Sequence, residues 1–134
     1  MVKQLWNWAI KARDVDKAVD FYTKVMGAEL LMSGVVLNSV YRLIRLGGVR
    51  ILILDRAPYE DDAGLDLPEG FLHVVYEVDD LDAQVEVLRK TPVRFLVEPT
   101  TIHTDFGRRK IAFFESLEGI RTEVMQIETE TGNL

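Results

Sequence analysis

The run ARDVDKAV at residues 12–19 returns as EVDDLDAQV at residues 77–85, and aligning the two places Asp14 on Asp80. The same offset sets Asn7 on His73, and a later match, GVRIL against GIRTE, sets Leu52 on Glu123. A repeat that spans nearly the whole chain constrains the fold more than any single motif. Both copies must form the same supersecondary unit and bury their apolar faces in the same way.

The unit can be read from either copy. Residues 5–12 alternate like a strand and lead to Asp14, an oxygen-bearing cap ahead of Val15, Ala18, Val19, Tyr22, Val25 and Met26 at helical spacing. Gly27 supplies the stop, because a left-handed position after a helix is least strained in glycine. Two β-branched and aliphatic runs follow, GVVLNSVYRLIRL and VRILILD, divided by the turn pair Gly47-Gly48. Residues 56–70, RAPYEDDAGLDLPEG, carry prolines, glycines and acids without periodicity and read as an exposed connection. Beyond it the order recurs: a strand at 71–78, Asp79 or Asp80 as cap, a helix bearing Leu81, Val85 and Leu88, then VRFLVE, RRKIAFFE and IRTEVMQIE as strands.

Each half therefore reads as βαβββ. A curled sheet with a helix on one face leaves its other face uncovered. The expectation is an α+β fold in which two modules build an eight-stranded half-open barrel, with helices outside and a cup inside. The 134 residues suffice for one such domain, with module 1 at about 4–55, a linker at 56–70 and module 2 at about 71–128.

Charge and composition narrow the function. A formal charge of −6, densest in YEDDAGLD, repels a phosphate backbone and argues against a nucleic-acid partner. The absence of cysteine removes disulfides, thiol nucleophiles and cysteine-bound zinc, so any metal must use His, carboxylate or amide ligands. No stretch reaches the roughly 18 apolar residues of a membrane span. The start MVKQLWNW lacks the basic and apolar regions of a signal peptide, so a cytoplasmic location without a membrane partner is expected. Neither a GxSxG nor a phosphate-binding glycine loop is present.

Period-2 alternation sends Trp6, Trp8 and Ile10 to one face of the first strand and Asn7, Ala9 and Lys11 to the other. In the second copy Leu72, Val74, Tyr76 and Val78 oppose His73, Val75 and Glu77. The bulkier set should pack on the helices, leaving the smaller, more polar set for the cup. Glu123 and Met125 join the cup if Thr122 and Val124 face the helix. Trp6, Trp8, Phe21 and Tyr22 read as packing.

The runs NWAIKARDVDKAVDFYTKVMGAEL, HVVYEVDDLD and FFESLEGIRTEVMQ together resemble the vicinal oxygen chelate superfamily, which includes glyoxalases, methylmalonyl-CoA epimerases, extradiol dioxygenases and bleomycin-resistance proteins. The resemblance covers nearly all of residues 4–128. In metal-dependent members the ligands come from the first and last strands of each half, which here are Asn7, Leu52, His73 and Glu123. Leucine cannot bind a metal. The resemblance therefore implies a divalent cation (nickel, zinc, manganese or iron) on His73 and Glu123, with the weaker amide oxygen of Asn7 as a third ligand. It also implies a homodimer, since members commonly pair, some by exchanging halves.

On this reading the cation is a Lewis acid for a small oxygenated substrate in a glyoxalase-like lyase or isomerase. The base would be Glu123, Glu77 or His103. Asn7, Lys11, Leu52 and Met125 would contact the substrate. An extradiol-dioxygenase-like oxygenase is an alternative, weakened by Asn7. A second is a metal-free binder of small molecules, of the bleomycin-resistance type, favoured by the missing ligands. A third leaves the cup without a role, the protein working through subunit contacts. Plainer readings also stand beside these: a Lys11–Glu77 or Lys11–Glu123 pair, His103 in a loop, and GRRK as a solvated turn rather than an attractor of an anionic substrate tail such as a phosphate or a carboxylate.

Overall fold

The structure, a computed structural model, describes residues 1–132 and 134. It contains β1 (Val2–Lys11), α1 (Val15–Lys24), β2 (Glu29–Val36), β3 (Ser39–Leu46), β4 (Val49–Leu54), α2 (Glu60–Ala63), β5 (Gly70–Val78), α3 (Leu81–Leu88), β6 (Arg94–Thr104), β7 (Gly107–Glu115) and β8 (Arg121–Ile127). Among the described residues no helix is long and apolar enough to cross a membrane. The chain forms two compact units, a first of Asn7–Leu72 and a second of Met1–Trp6 with His73–Leu134. The fold class is α+β, built from two βαβββ modules, as the sequence predicts.

In the first unit the strands run in the order β2-β3-β4-β1, with β1 parallel to β4 and the other pairs antiparallel. Asp14 caps α1 by accepting from the Lys17 backbone N–H at 3.1 Å. One face of α1 packs Val15 and Val19 against Ile44, Ile51 and Ile53, with Ile10 at the margin. The long run predicted at 34–46 is in fact a hairpin. Leu37 and Asn38 both take positive φ (48° and 65°), a two-residue turn whose twist matches the strands it joins.

The second unit repeats the plan with the order β5-β8-β7-β6 and β5 parallel to β8. Asp80 caps α3 through the Ala83 N–H at 3.1 Å, and Leu81 and Val85 pack on Val78, Ala112, Phe114 and Val124. The strand expected at VRFLVE runs on to Thr104, past a register shift around Pro99. β6 ends its strand order, and an outer strand tolerates the missing proline N–H that an inner one would not.

The registers reproduce the alignment made from sequence. Ala9 lies opposite Leu52 and Val75 opposite Glu123, so Asn7 and His73 both sit two residues upstream of the matched pair.

The connection at 56–70, expected to be exposed, departs from that expectation. Ala57, Tyr59 and Glu60 are buried, and α2 forms within it. Trp8 and Phe21 depart in the opposite sense: both are about half exposed rather than packed (45% and 51%).

Candidate functional site

The second unit places His73, Glu77, Arg109 and Glu123 on the sheet face opposite α3. On β7, Ala112 and Phe114 pack toward the helix, so Arg109, Ile111 and Phe113 alternate to the other side. Phe113 lies opposite Glu123 and Ile111 opposite Met125, while Val75 and Glu77 of β5 lie opposite the same two β8 residues. His73 belongs to this face by period 2. It is 1% exposed, with Nε2 3.7 Å from Glu123 Oε1 and the Phe113 ring edge-on at 5.0 Å.

Burial dominates the electrostatics of the pair. Loss of water lowers the His73 pKa to about 3, helped by the positive charge of Arg121. The same loss raises Glu123 to about 8, against the opposing pull of Arg109. Between those values both groups are uncharged in the protein alone. The contact is then not an ion pair, and at 3.7 Å it is too long for a hydrogen bond.

Glu77 is buried. Gln4 Nε2 donates to its Oε1 at 2.8 Å and Lys3 Nζ to its Oε2 at 3.4 Å. Within the first unit Lys11 Nζ donates to Glu60 Oε1 at 2.7 Å and to the Leu67 carbonyl at 2.6 Å, so its carboxylate partner there is Glu60 of the connector. The buried connector thus brings the counter-charge. Burial pushes the Glu60 pKa up, but the hydrogen bond from Lys11, those from the Leu67 and Ala57 N–H groups and the lysine charge outweigh it and hold the pKa below the ordinary value.

The remaining candidates are spread out. Asn7 is buried in the first unit, its amide donating to the Trp8 carbonyl at 2.9 Å, and Leu52 of the same unit is partly buried. Met125 is buried beside Ile111 and Glu77. His103 is not in a loop. It is an exposed residue of β6, opposite Arg108, and so points to the face away from Arg109, Phe113 and Glu123. That position removes it from acid–base work at His73 and Glu123.

Sequence reasoning missed Arg109. Read as part of a solvated GRRK turn, it is fully buried, and the signal that finds it is the alternation Arg109, Ile111, Phe113 on β7.

A histidine nitrogen beside a carboxylate oxygen suits a first-row divalent cation. Leu52 adds no donor. Among the described residues no group of three or more His, Cys, Asp or Glu could hold a metal. The pair fits such an ion as part of a coordination shell, with the remaining places left to other donors.

Comparison with known proteins gives the class. The sequence profile of the Glyoxalase/Bleomycin resistance protein/Dioxygenase superfamily matches residues 8–124, and the chain belongs to that family. No curated protein matches it. Among solved structures, a hypothetical protein from Bacillus halodurans C-125 is similar at 18% identity and a TM-score of 0.76, covering 97% of this chain and 98% of the other. A methylmalonyl-CoA epimerase variant from Streptomyces coelicolor, in complex with 2-nitronate-propionyl-CoA, is similar at 20% identity and a TM-score of 0.75, covering 99% and 100%. The methylmalonyl-CoA epimerase from Mycobacterium tuberculosis is similar at 21% and 0.73, covering 96% and 90%. At these identities the likeness establishes the fold.

Proposed function

We propose that the chain is a divalent-metal-dependent lyase or isomerase acting on a small oxygenated substrate, with His73 and Glu123 as metal ligands. The observation that carries this reading is the approach of His73 Nε2 to Glu123 Oε1 on neighbouring buried strands. Isolated ionisable groups are costly at such depth unless they have a task. The epimerases among the structural neighbours favour the isomerase form.

The cation would act as a Lewis acid, stabilising negative charge on a substrate oxygen. The protein's own part is proton transfer. With Glu123 engaged as ligand, Glu77 is the carboxylate left for it: it shares the His73 face, and Gln4 and Lys3 each hold one of its oxygens. Each carboxylate oxygen keeps a further lone pair for the substrate proton.

The test is elemental analysis and calorimetric titration of untagged protein purified without chelators. About one nickel, zinc, manganese or iron(II) ion per chain is expected, lost in His73→Ala and Glu123→Gln. Glu77→Gln should keep the metal while abolishing solvent deuterium incorporation into small carbonyl substrates. No metal in the wild type after loading with all four ions overturns the reading.

Two observations favour a second reading. Leucine at position 52 and the absence of a three-donor group among the described residues suit a metal-free small-molecule binder. A protein that takes up no cation but shifts Trp6 fluorescence with small ligands would be of that kind. A homodimer remains part of the proposal, and light scattering of the purified chain tests it.

A further inference from the structure

Arg109 has an environment that its structural neighbours do not complete. Its side chain is 0% exposed, and a desolvated guanidinium needs close anionic or carbonyl partners on its fork. Nη1 donates to the Thr129 carbonyl at 2.5 Å and, more weakly, to the Arg108 carbonyl at 3.4 Å. Nη2 lies 3.5 Å from Glu130 Oε1, and Nε has no hydrogen-bond partner among the described residues. The Phe106 and Trp6 rings stand 5.1 and 5.9 Å from the guanidinium carbon. Its one carboxylate contact is therefore long, and the glutamate that makes it is 41% exposed.

The shortest of these contacts, to Thr129, and the carboxylate contact, to Glu130, both come from the C-terminal tail. Residues 128–131 lie against the start of β7: Glu128 and Thr129 N–H groups donate to the Arg108 carbonyl, and Thr131 N–H to the Phe106 carbonyl. The tail rests so close that a Cβ at Gly107 would stand 2.1 Å from the Thr129 carbonyl oxygen. On the strand itself, Arg109 shares its face with Phe113, whose cross-strand partner is Glu123.

We propose that Arg109 anchors an oxyanion of the substrate, of the carboxylate class, and that Glu130 holds the place until the anion displaces it. The long contact to a half-exposed glutamate is what a displaceable stand-in looks like, whereas a permanent partner would close to a bidentate pair. Nε, turned to no partner, is the donor an incoming carboxylate would gain. This rests on the proposed function only for where the substrate reacts, and anion binding itself needs no metal.

Trp6, beside the guanidinium, supplies the readout. In a Trp8→Phe background Trp6 alone reports, and chelator-treated protein is titrated at fixed ionic strength with malonate and with uncharged malonamide. Malonate should give a saturable change in Trp6 emission and malonamide none. Glu130→Gln should tighten malonate about threefold, by removing the competitor, and Arg109→Gln should weaken it about tenfold or more. Failure of malonate to bind the Glu130→Gln protein overturns the proposal, as does equal affinity in a folded Arg109→Gln. If Arg109→Gln does not fold, unchanged or weaker binding in Glu130→Gln overturns it. A chain that binds malonate but no cation loses the metalloenzyme reading and keeps this one, and the reverse result does the opposite.

Discussion

Lys11 and Glu77 hold the same place in the two units, opposite Leu54 and Met125 respectively, and each is 7% exposed. In the first unit the lysine meets Glu60 and a carbonyl from the connector. Around it the same face carries Ala9, Tyr41, Leu43, Leu52 and Leu54. In the second unit the matching positions carry a glutamate at Leu52's place and a buried arginine at Ser39's, with His73 where Asn7 stands. One copy of the frame is thus closed by apolar packing around a satisfied pair. The other keeps His73, Glu123 and Arg109, whose partners are uncharged or distant. A duplicated unit needs both copies for the fold but only one set of costly polar groups for chemistry, and the difference separates the two demands.

The largest effect should come from breaking the satisfied pair. Lys11→Met leaves Glu60 buried without its main counter-charge, which costs about 3–5 kcal/mol. Denaturant unfolding of the variant measures the loss. The double change Lys11→Met with Glu60→Leu should recover most of it, because neither charge then remains to be solvated. If the single change is silent, the first unit is not held by this pair and the contrast with the second weakens.

The second unit should respond to pH instead. Glu123 keeps its proton up to about pH 8 in the folded protein, whereas the unfolded chain releases it near the ordinary glutamate value of 4.5. The folded state therefore binds more protons across that window, and stability from this group, full below 4.5, is lost as pH rises to 8. His73 has the opposite sign. Its folded pKa of about 3 lies under the ordinary histidine value of 6.5, so its contribution is full above 6.5 and is lost as pH falls toward 3. In metal-free protein Glu123→Gln should be more stable than wild type at pH 8.5, by on the order of 1–3 kcal/mol, and nearly equal to it at pH 4. A bound cation reverses the alkaline loss, since it holds the carboxylate ionised. An alkaline slope that is the same with and without metal would separate Glu123 from any cation.

Arg109 sharpens the comparison at the next level. Gly107→Ala sets a methyl group against the Thr129 carbonyl at a backbone angle, φ +123°, that side chains rarely adopt. The tail should lift from β7 at a cost of about 1–3 kcal/mol. Faster hydrogen exchange at the Glu128 and Thr129 amides would register it, and unchanged protection there would show the tail held by something other than this contact.

How much of this could be read from the chain alone follows from the range of the interactions involved. The repeat, the caps Asp14 and Asp80 and the inward set Asn7, Ala9, Lys11, His73 and Glu77 depend on local spacing, and all were legible. The partner of Lys11 was not, because Glu60 lies in a connector without periodicity and is brought in by tertiary packing. Arg109 was hidden by composition. A basic run suggests a solvated turn, and only the strand alternation, with a tail returning from Thr129 and Glu130, turns one arginine inward. His103 was misplaced because β6 continues beyond Pro99, which sequence rules take as a stop.

The smallest predicted effect tests whether the two frames are equal apart from their polar groups. Asp14 and Asp80 make the same bond, side-chain oxygen to the N–H three residues on, at 3.1 Å in each case. Removing either with alanine should cost about 1 kcal/mol. Because both caps are exposed and lie on the helices rather than on the sheet face with His73 and Glu123, neither change should alter metal uptake. Equal losses, measured by denaturant midpoints at one pH, would mean that the units differ in chemistry and not in local stability. A markedly larger loss at Asp80 would mean that the second unit, with its buried ionisable groups, has less stability to spare, and that its polar face weakens the frame as well as equipping it.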